Sequence, residues 1–278
     1  LAATSDKFCK NMNKKIFIFL ILNLISIELV SSQNCNYEDY HKRIELAKKE
    51  YESENFKEAN KLYKIAFENT DFPFGTHLRD AFEIAKKTKD EIWMEQIAVK
   101  LAKGGIPLKY FKFLNKYKWY IKFYEQFPQY QKYFNENFDQ EFRKNLVNVA
   151  KLDTETNSRF HEWRTRKQEH SIDTLVVEMT NVSIGFQKMI EKFGFPTEKK
   201  IGYYYNKGDI NELPTFVLFV HIYQRGELLY KERLNELVCT GSLTTSQSKQ
   251  LETIRGFGNS TGIVQEMEAR KKKFRKNE

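Results

Sequence analysis

The chain has few residues from which a metal site could be built. Its 278 residues include only three cysteines and five histidines, and no CxxC pair or Cys/His cluster has the spacing of a zinc ligand set. His161-Glu162 is followed by no second histidine at the position that the HExxH motif requires. Gly256, Gly258 and Gly262 are not followed by the Lys-Ser/Thr of a phosphate-binding loop. We therefore expect no metal ion and no other cofactor.

The one long apolar run lies near the N-terminus and has the pattern of a signal peptide. Lys14 and Lys15 precede the run from Ile16 to Val30, and Val30 and Ser32 occupy the positions expected before a cleavage site at Gln33. The run is shorter than the roughly 20 apolar residues of a spanning helix, and Asn23 and Glu28 interrupt it. Cleavage after Ser32 and export to the periplasm or the cell exterior are therefore predicted, with a retained N-terminal anchor as the alternative.

Cys35 and Cys239 remain in the chain after cleavage. An oxidising compartment would allow a disulfide to persist, but the sequence alone does not show whether the two sulfur atoms meet. One cysteine in a frayed N-terminus and one buried thiol is the alternative reading.

Residues 40 to 67 have apolar positions at helical spacing in two blocks, separated by a polar turn at Glu52 to Asn55. This pattern predicts a helical hairpin. Small and large residues fall where a tetratricopeptide repeat places them, and these positions are Leu46, Ala47, Phe56, Ala59, Tyr63 and Ala66. The segment thus resembles a tetratricopeptide repeat, and residues 77 to 102 resemble a looser second copy.

The repeat resemblance implies a concave face that holds a peptide or a partner protein. Carried over position by position, that face would be lined by His41, Ile44, Lys48 and Tyr51. Ile44 and Glu45 stand where a carboxylate-binding clamp needs polar residues, so a chaperone-type clamp is not expected.

The middle of the chain is basic and aromatic. Residues 103 to 134 hold seven lysines and a single acid, Glu125, and many tyrosines and phenylalanines lie between the lysines. Helical spacing predicts that the aromatic residues form the core of a third hairpin with lysines on its wet face. Interleaved lysines and aromatic rings also occur in single-stranded nucleic acid binders, but export argues against such a partner. Contact with a membrane surface or an anionic glycan remains open.

The second half resembles an uncharacterised helical domain of exported bacterial proteins, many of them from the Bacteroidota. The resemblance rests on Asp153 with Arg159, on residues 186 to 196 (FQKMIEKFGFP), on Ile201-Gly202 and on the apolar run that ends at His221. It departs from the pattern at Thr180, where an acid is expected. The resemblance implies an architecture and no activity.

An enzyme or small-ligand site in this half would use Arg159, Glu178 and His221, and it requires these side chains to converge. No carboxylate lies within four residues of His221, which favours a structural role for this residue. The apolar run from 216 to 223 could be a buried strand or a helix, and we expect a helix.

These observations predict an all-α protein. The expected divisions are residues 1–32 as leader, 33–138 as helical repeat domain, 139–263 as a second helical domain, with 199–213 as a linker inside it, and 264–278 as a basic tail. The first functional hypothesis is a protein- or peptide-binding scaffold rather than an enzyme.

Overall fold

The computed structural model describes Cys35, residues 37–165 and residues 171–254. Within these ranges the regular secondary structure is helical apart from one short two-stranded hairpin, so the all-α prediction is confirmed. The predicted leader, its cleavage site and the basic tail lie outside the described residues. Cys35 and Cys239 are each disulfide-bonded.

Two helical hairpins form the N-terminal part. Helices α1 (Glu38–Glu52) and α2 (Phe56–Glu68) make the first hairpin, and α3 (Gly75–Thr88) and α4 (Glu91–Lys103) make the second. Ala59 is fully buried, as expected where two helices approach closely. Asp90 begins α4 by accepting a hydrogen bond from the Trp93 backbone N–H at 3.2 Å. Both hairpins were predicted, and their assignment to the tetratricopeptide family stays a prediction.

A third pair of segments follows. The first is a 3₁₀ helix (Leu108–Leu114) and the second is α5 (Tyr120–Asn137). Their inward residues are Phe111, Leu114, Phe123, Phe127 and Tyr130, all buried. These aromatic residues form a core, as helical spacing predicted, although the first segment is a 3₁₀ helix and Phe113, Tyr124 and Tyr133 remain exposed.

Two long helices begin the C-terminal part. Helix α6 spans Gln140–Arg164 and α7 spans Ile172–Phe193, and the two pack against each other. The Asp139 side chain accepts a hydrogen bond of 2.8 Å from the Phe142 backbone N–H and so begins α6.

The segment expected to be a linker is instead an ordered part of the structure. It contains the short helix α8 (Glu198–Ile201) and strands β1 (Tyr204–Asn206) and β2 (Asp209–Asn211), which pair antiparallel with Tyr205 opposite Ile210. Tyr203 and Ile210 are fully buried in the core of the N-terminal hairpins. The linker expectation is therefore wrong, because two large apolar side chains hold this segment against the hairpins.

The apolar run forms helix α9 (Thr215–Gln224), as expected. The apolar residues from Leu228 to Val238 also have helical spacing, but the α-helix that they form is short. A 3₁₀ turn (Lys231–Arg233) precedes α10 (Leu234–Cys239), since Tyr230 adopts a left-handed φ of 57° that no α-helix continues. Helix α11 (Thr245–Thr253) begins with a capping box of Thr244 and Gln247.

Two main cores result. The first joins α1 to α5 and receives Tyr203 and Ile210 from the segment around the β-hairpin. The second joins α6, α7 and α9 to α11 around Phe186 and Phe219, whose ring centroids are 5.2 Å apart. The segment from α8 to β2 therefore positions the repeat-like hairpins beside the C-terminal helices.

Candidate functional site

A cavity of about 840 Å³ lies between the N-terminal hairpins and the C-terminal helices. We call it the cleft. Its lining comes from α1, α3, α6, the β-hairpin and α9. The volume falls in the range of small-ligand sites. The cleft exists because Tyr203 and Ile210 fix the β-hairpin beside α3.

The hairpin side of the cleft is polar and held in place by Arg79. Its Nη1 donates to the Ile210 carbonyl at 2.9 Å and contacts Asp209 at 3.2 Å. Its Nη2 lies 3.2 Å from the Asp80 carboxylate, which is 4.0 Å from the Lys48 Nζ. This network joins α1, α3 and β2, so the polar wall is built from elements distant in sequence.

The opposite side of the cleft carries an apolar patch. Helix α6 contributes Val147 and Ala150, and the region of α9 contributes Pro214 and Val217, while Lys151, Asp153, Thr154 and Glu155 of α6 add polar groups to the same side. Val147 and Val217 keep 37% and 46% of their surface exposed. Exposed valines on the wall of a cavity lose contact with water when an apolar group enters, which favours binding.

His77 lines the cleft but is buried and uncharged. The Tyr40 hydroxyl accepts a hydrogen bond from the Phe74 N–H at 3.1 Å and lies 2.7 Å from the His77 Nδ1. The hydroxyl proton is therefore free to be donated to Nδ1. Burial lowers the pKa of His77 well below its ordinary value. His77 acts here as a neutral acceptor.

Of the four residues expected on a concave face, two are buried and two line cavities. His41 and Ile44 are 5% and 2% exposed, and so offer little surface to a partner. Burial lowers the pKa of His41 to about 4. Lys48 lines the cleft, and Lys48 and Tyr51 together line a smaller neighbouring cavity of about 350 Å³.

His221 is oriented by Asp153, which comes from another helix. The His221 Nδ1 lies 2.5 Å from Oδ2 of Asp153, and the other oxygen, Oδ1, accepts a hydrogen bond of 2.6 Å from Nη2 of Arg225. Asp153 and Arg225 are 1% and 3% exposed. Asn157 donates to Asp153 Oδ1 at 3.0 Å. The carboxylate that fixes the imidazole, missing near His221 in sequence, is thus supplied 68 residues away.

Arg159 and Glu178 form a separate ion pair. The Arg159 Nε and Nη2 both lie 2.9 Å from the Glu178 Oε2, so the pair joins α6 to α7. The described contacts place His221 with Asp153 and Arg225 instead. The three predicted ligand-site residues therefore divide between two polar groups, and none of the three lines the cleft.

Within the described ranges, no group of three or more His, Cys, Asp or Glu side chains is placed to hold a metal ion. Over the same residues, no helix has the length and apolar character needed to cross a membrane.

Comparison with protein-family models, with curated proteins and with solved structures finds no match to this chain.

Sequence reasoning missed several residues of the cleft. Arg79, Asp80 and Val147 looked like ordinary helix positions, and Asn211 lay in a supposed linker. The periodic signal of α3 could have shown that Arg79 and Asp80 lie beside the buried Leu78, but not which segment faces them.

One motif was also overlooked. Residues Gly258 to Gly262 (GNSTG) have the Gly-x-Ser-x-Gly spacing of a nucleophile elbow. They lie outside the described residues. An elbow follows a strand, whereas helix α11 ends at Thr253 shortly before this segment, so the spacing by itself indicates no catalytic serine.

Proposed function

We propose that this chain is an exported scaffold protein that binds an extended peptide or a segment of a partner protein in the cleft. The observation that carries the proposal is the cleft itself, with polar side chains on α1 and α3 and an apolar patch of Val147, Ala150, Pro214 and Val217 on the side of α6 and α9. A peptide presents both kinds of group along its length. Its apolar side chains would cover Val147 and Val217, and its backbone would find donors and acceptors on the opposite wall.

The polar wall is suited to a backbone because its side chains are already held in position. Arg79 is fixed by Asp80, Asp209 and the Ile210 carbonyl, so little side-chain freedom is lost when a ligand binds. Asn211 lines the cleft, and its side chain donates hydrogen bonds of 2.9 Å to the Asn206 and Asp209 carbonyls. Its side-chain oxygen therefore faces a defined direction.

Export is supported by two observations. The residues from Lys14 to Ser32 have the order of a signal peptide. Cys35 and Cys239 are disulfide-bonded, and disulfides persist in oxidising compartments. The intact mass of the exported protein would test the predicted start at Gln33, and a product that retains Met12 would contradict it.

The alternative function, an enzyme or small-ligand site around Arg159, Glu178 and His221, has less support. It requires these groups to face one bound molecule. Each is instead satisfied by a protein partner, Arg159 and Glu178 by each other and His221 by Asp153. Structural ion pairs account for this arrangement without a ligand.

Selection of random peptides displayed on phage tests the proposal. The exported protein is immobilised, enriched peptides are synthesised with a fluorophore, and their affinity is measured by fluorescence anisotropy. We expect enriched peptides to contain at least one large apolar residue. Val147→Asp should weaken their binding about tenfold or more, because a charge would have to be desolvated against the ligand.

Val177→Asp is the matched control, since Val177 is the same residue type with the same 37% exposure as Val147 but does not line the cleft. The control should bind the peptides like the unchanged protein. Equal binding by Val147→Asp, or equal loss in both variants, would exclude the cleft as the peptide site.

A further inference from the structure

The turn from the 3₁₀ helix into α5 carries a concentrated positive charge. Between residues 104 and 124 the sequence contains five lysines and no acidic residue. None of the five forms an ion pair with a described residue, although Lys109 lies over the Tyr205 ring at 5.1 Å and Lys116 over the Tyr117 ring at 5.3 Å. Lys112, Lys118 and Lys122 are exposed and have neither kind of contact.

Large apolar side chains lie exposed among these lysines. Ile121 is 67% exposed and Tyr124 is 55% exposed on the first turns of α5. Phe123 and Phe127 of the same helix are instead buried in the core. We define the basic aromatic surface as Lys112, Lys116, Lys118, Ile121, Lys122 and Tyr124.

The surface rests on a rigid base of aromatic rings. Tyr117 stacks on Trp119 with centroids 5.8 Å apart, and Trp119 contacts Phe123 at 6.0 Å. Tyr124 lies 6.2 Å from Tyr120. These ring contacts anchor the backbone that carries the lysines and Ile121 to the buried core.

Two carboxylates that act electrostatically on the neighbouring Tyr110 do not neutralise this charge. Glu83 is held by Lys86 at 2.7 Å, and Asp209 by Arg79 at 3.2 Å. Glu125 follows Tyr124 directly and is the one acid on the exposed part of α5 up to Tyr133. The surface therefore keeps a net positive charge of several units.

We propose that the basic aromatic surface docks on an anionic lipid bilayer. Lysines at such a surface each gain attraction to acidic headgroups. Tyrosine is favoured at the boundary between headgroups and acyl chains, and an exposed isoleucine gains by entering that boundary. Soluble polyanions such as nucleic acids and anionic glycans would use the lysines and the rings, but they offer no apolar layer for Ile121. The two-thirds exposed Ile121 therefore favours the bilayer.

Co-sedimentation with lipid vesicles tests this proposal and does not depend on the cleft. The protein is purified in its exported form and mixed with two kinds of vesicle. One kind is phosphatidylcholine alone, and the other contains 30% phosphatidylglycerol, so that roughly one headgroup in three is anionic. Binding is expected on the anionic vesicles only, and it should fall as salt is raised. Binding to both kinds of vesicle equally would contradict the proposal.

The charge is tested by replacing Lys112, Lys116, Lys118 and Lys122 together by glutamine, which should lower the partition onto anionic vesicles at least about tenfold. The control replaces four exposed lysines elsewhere that also form no ion pair within the described part of the chain, namely Lys49, Lys144, Lys188 and Lys249. Both variants have the same net charge. Equal loss in the two variants would show that only net charge matters and would overturn the assignment to this surface.

The apolar contribution separates a bilayer from a soluble polyanion. Ile121→Asn leaves the charge unchanged and should weaken vesicle binding several-fold, while retention on a heparin column stays the same. An Ile121→Asn variant that binds vesicles as well as the unchanged protein would assign the surface to a soluble polyanion and overturn the proposal. Circular dichroism of each variant excludes unfolding as the cause.

Discussion

The Gly75 backbone N–H donates a hydrogen bond of 2.7 Å to Oε2 of Glu198, which lies 123 residues further along the chain. Gly75 is the first residue of α3. The N–H of a first helical residue has no partner within its own helix, and the Glu198 carboxyl group accepts its hydrogen bond. The contact joins the second hairpin to α8. Glu198 is only 4% exposed, and burial raises its pKa to about 8.

Glu198→Gln should change how stability depends on pH. In the folded protein the pKa is about 8, whereas the ordinary value is 4.5. The neutral Glu198 carboxyl group therefore contributes fully to the free energy of unfolding below pH 4.5. This contribution is lost as the pH rises toward 8, because the same carboxyl group ionises at lower pH in the unfolded chain. Between pH 6.5 and 8 the free energy of unfolding of the unchanged protein should fall, relative to that of the variant, by up to about 1.4 kcal/mol per pH unit.

Urea denaturation at several pH values measures this difference. Measurements above pH 6.5 avoid the effect of His41 and His77. Both histidines have lowered pKa values in the folded protein, so they reduce stability only when the pH falls below 6.5, their ordinary pKa. Glu68→Gln, at an exposed glutamate, is the control and should keep the original pH dependence. Parallel curves for Glu198→Gln and the unchanged protein would show that this carboxyl ionises normally.

The Asp153 carboxylate should matter more for folding than the imidazole it holds. Asp153→Asn removes the charge that pairs with Arg225, whose Nε and Nη1 already have no hydrogen-bond partner among the described residues. Breaking a buried ion pair costs about 3 kcal/mol. His221→Gln should cost only about 1 kcal/mol, the usual value of one hydrogen bond. Chemical denaturation of both variants compares the two.

A structural role for His221 also predicts that His221→Gln leaves peptide affinity per folded molecule unchanged. The imidazole is joined to Asp153 and does not line the cleft. If His221→Gln folded with full stability and yet lost its ligand, the ligand-site hypothesis around His221 would take precedence over the scaffold.

Ala59 should not tolerate a larger side chain. It is completely buried in α2, and Ala59→Leu should lower the free energy of unfolding by about 1 to 3 kcal/mol through overpacking. Lys61→Leu adds the same side chain at an exposed position of α2 and should have a much smaller effect. Thermal unfolding distinguishes them, and an unchanged melting temperature for Ala59→Leu would remove this residue from the helix crossing.

Gly202 should be irreplaceable for a reason that Gly208 does not share. Both have positive φ, 78° and 89°, but a Cβ at Gly202 would lie 2.6 Å from the Gly104 carbonyl oxygen, while nothing lies within 4 Å of one at Gly208. Gly208→Ala should show only the backbone strain of about 1 kcal/mol. Gly202→Ala should add the steric clash and separate α8 from the second hairpin. Equal melting temperatures for the two variants would contradict this close approach.

The sequence by itself determined the helices and most of their inward faces. Periodicity is a local property, so the spacing of Ala59, Tyr63 and Ala66 predicts a buried stripe, and all three are fully or almost fully buried. The run of residues 216 to 223 is apolar almost throughout, so a helix was expected there without a periodic signal that distinguishes it from a buried strand. The single apolar run before Gln33 remains the basis of the export prediction.

The tertiary structure alone decided which polar groups meet. Asp153 and His221 are 68 residues apart, and Gly75 and Glu198 are 123 apart, so neither pair has a local signal. The same holds for the segment around Gly202, whose glycines and polar residues resembled a linker. Its place in the fold depends on Tyr203, which enters the distant core of the hairpins and donates its backbone N–H to the Gly104 carbonyl at 2.7 Å. Local sequence sets the conformation that a segment prefers, whereas burial of large side chains against remote elements sets where that segment lies.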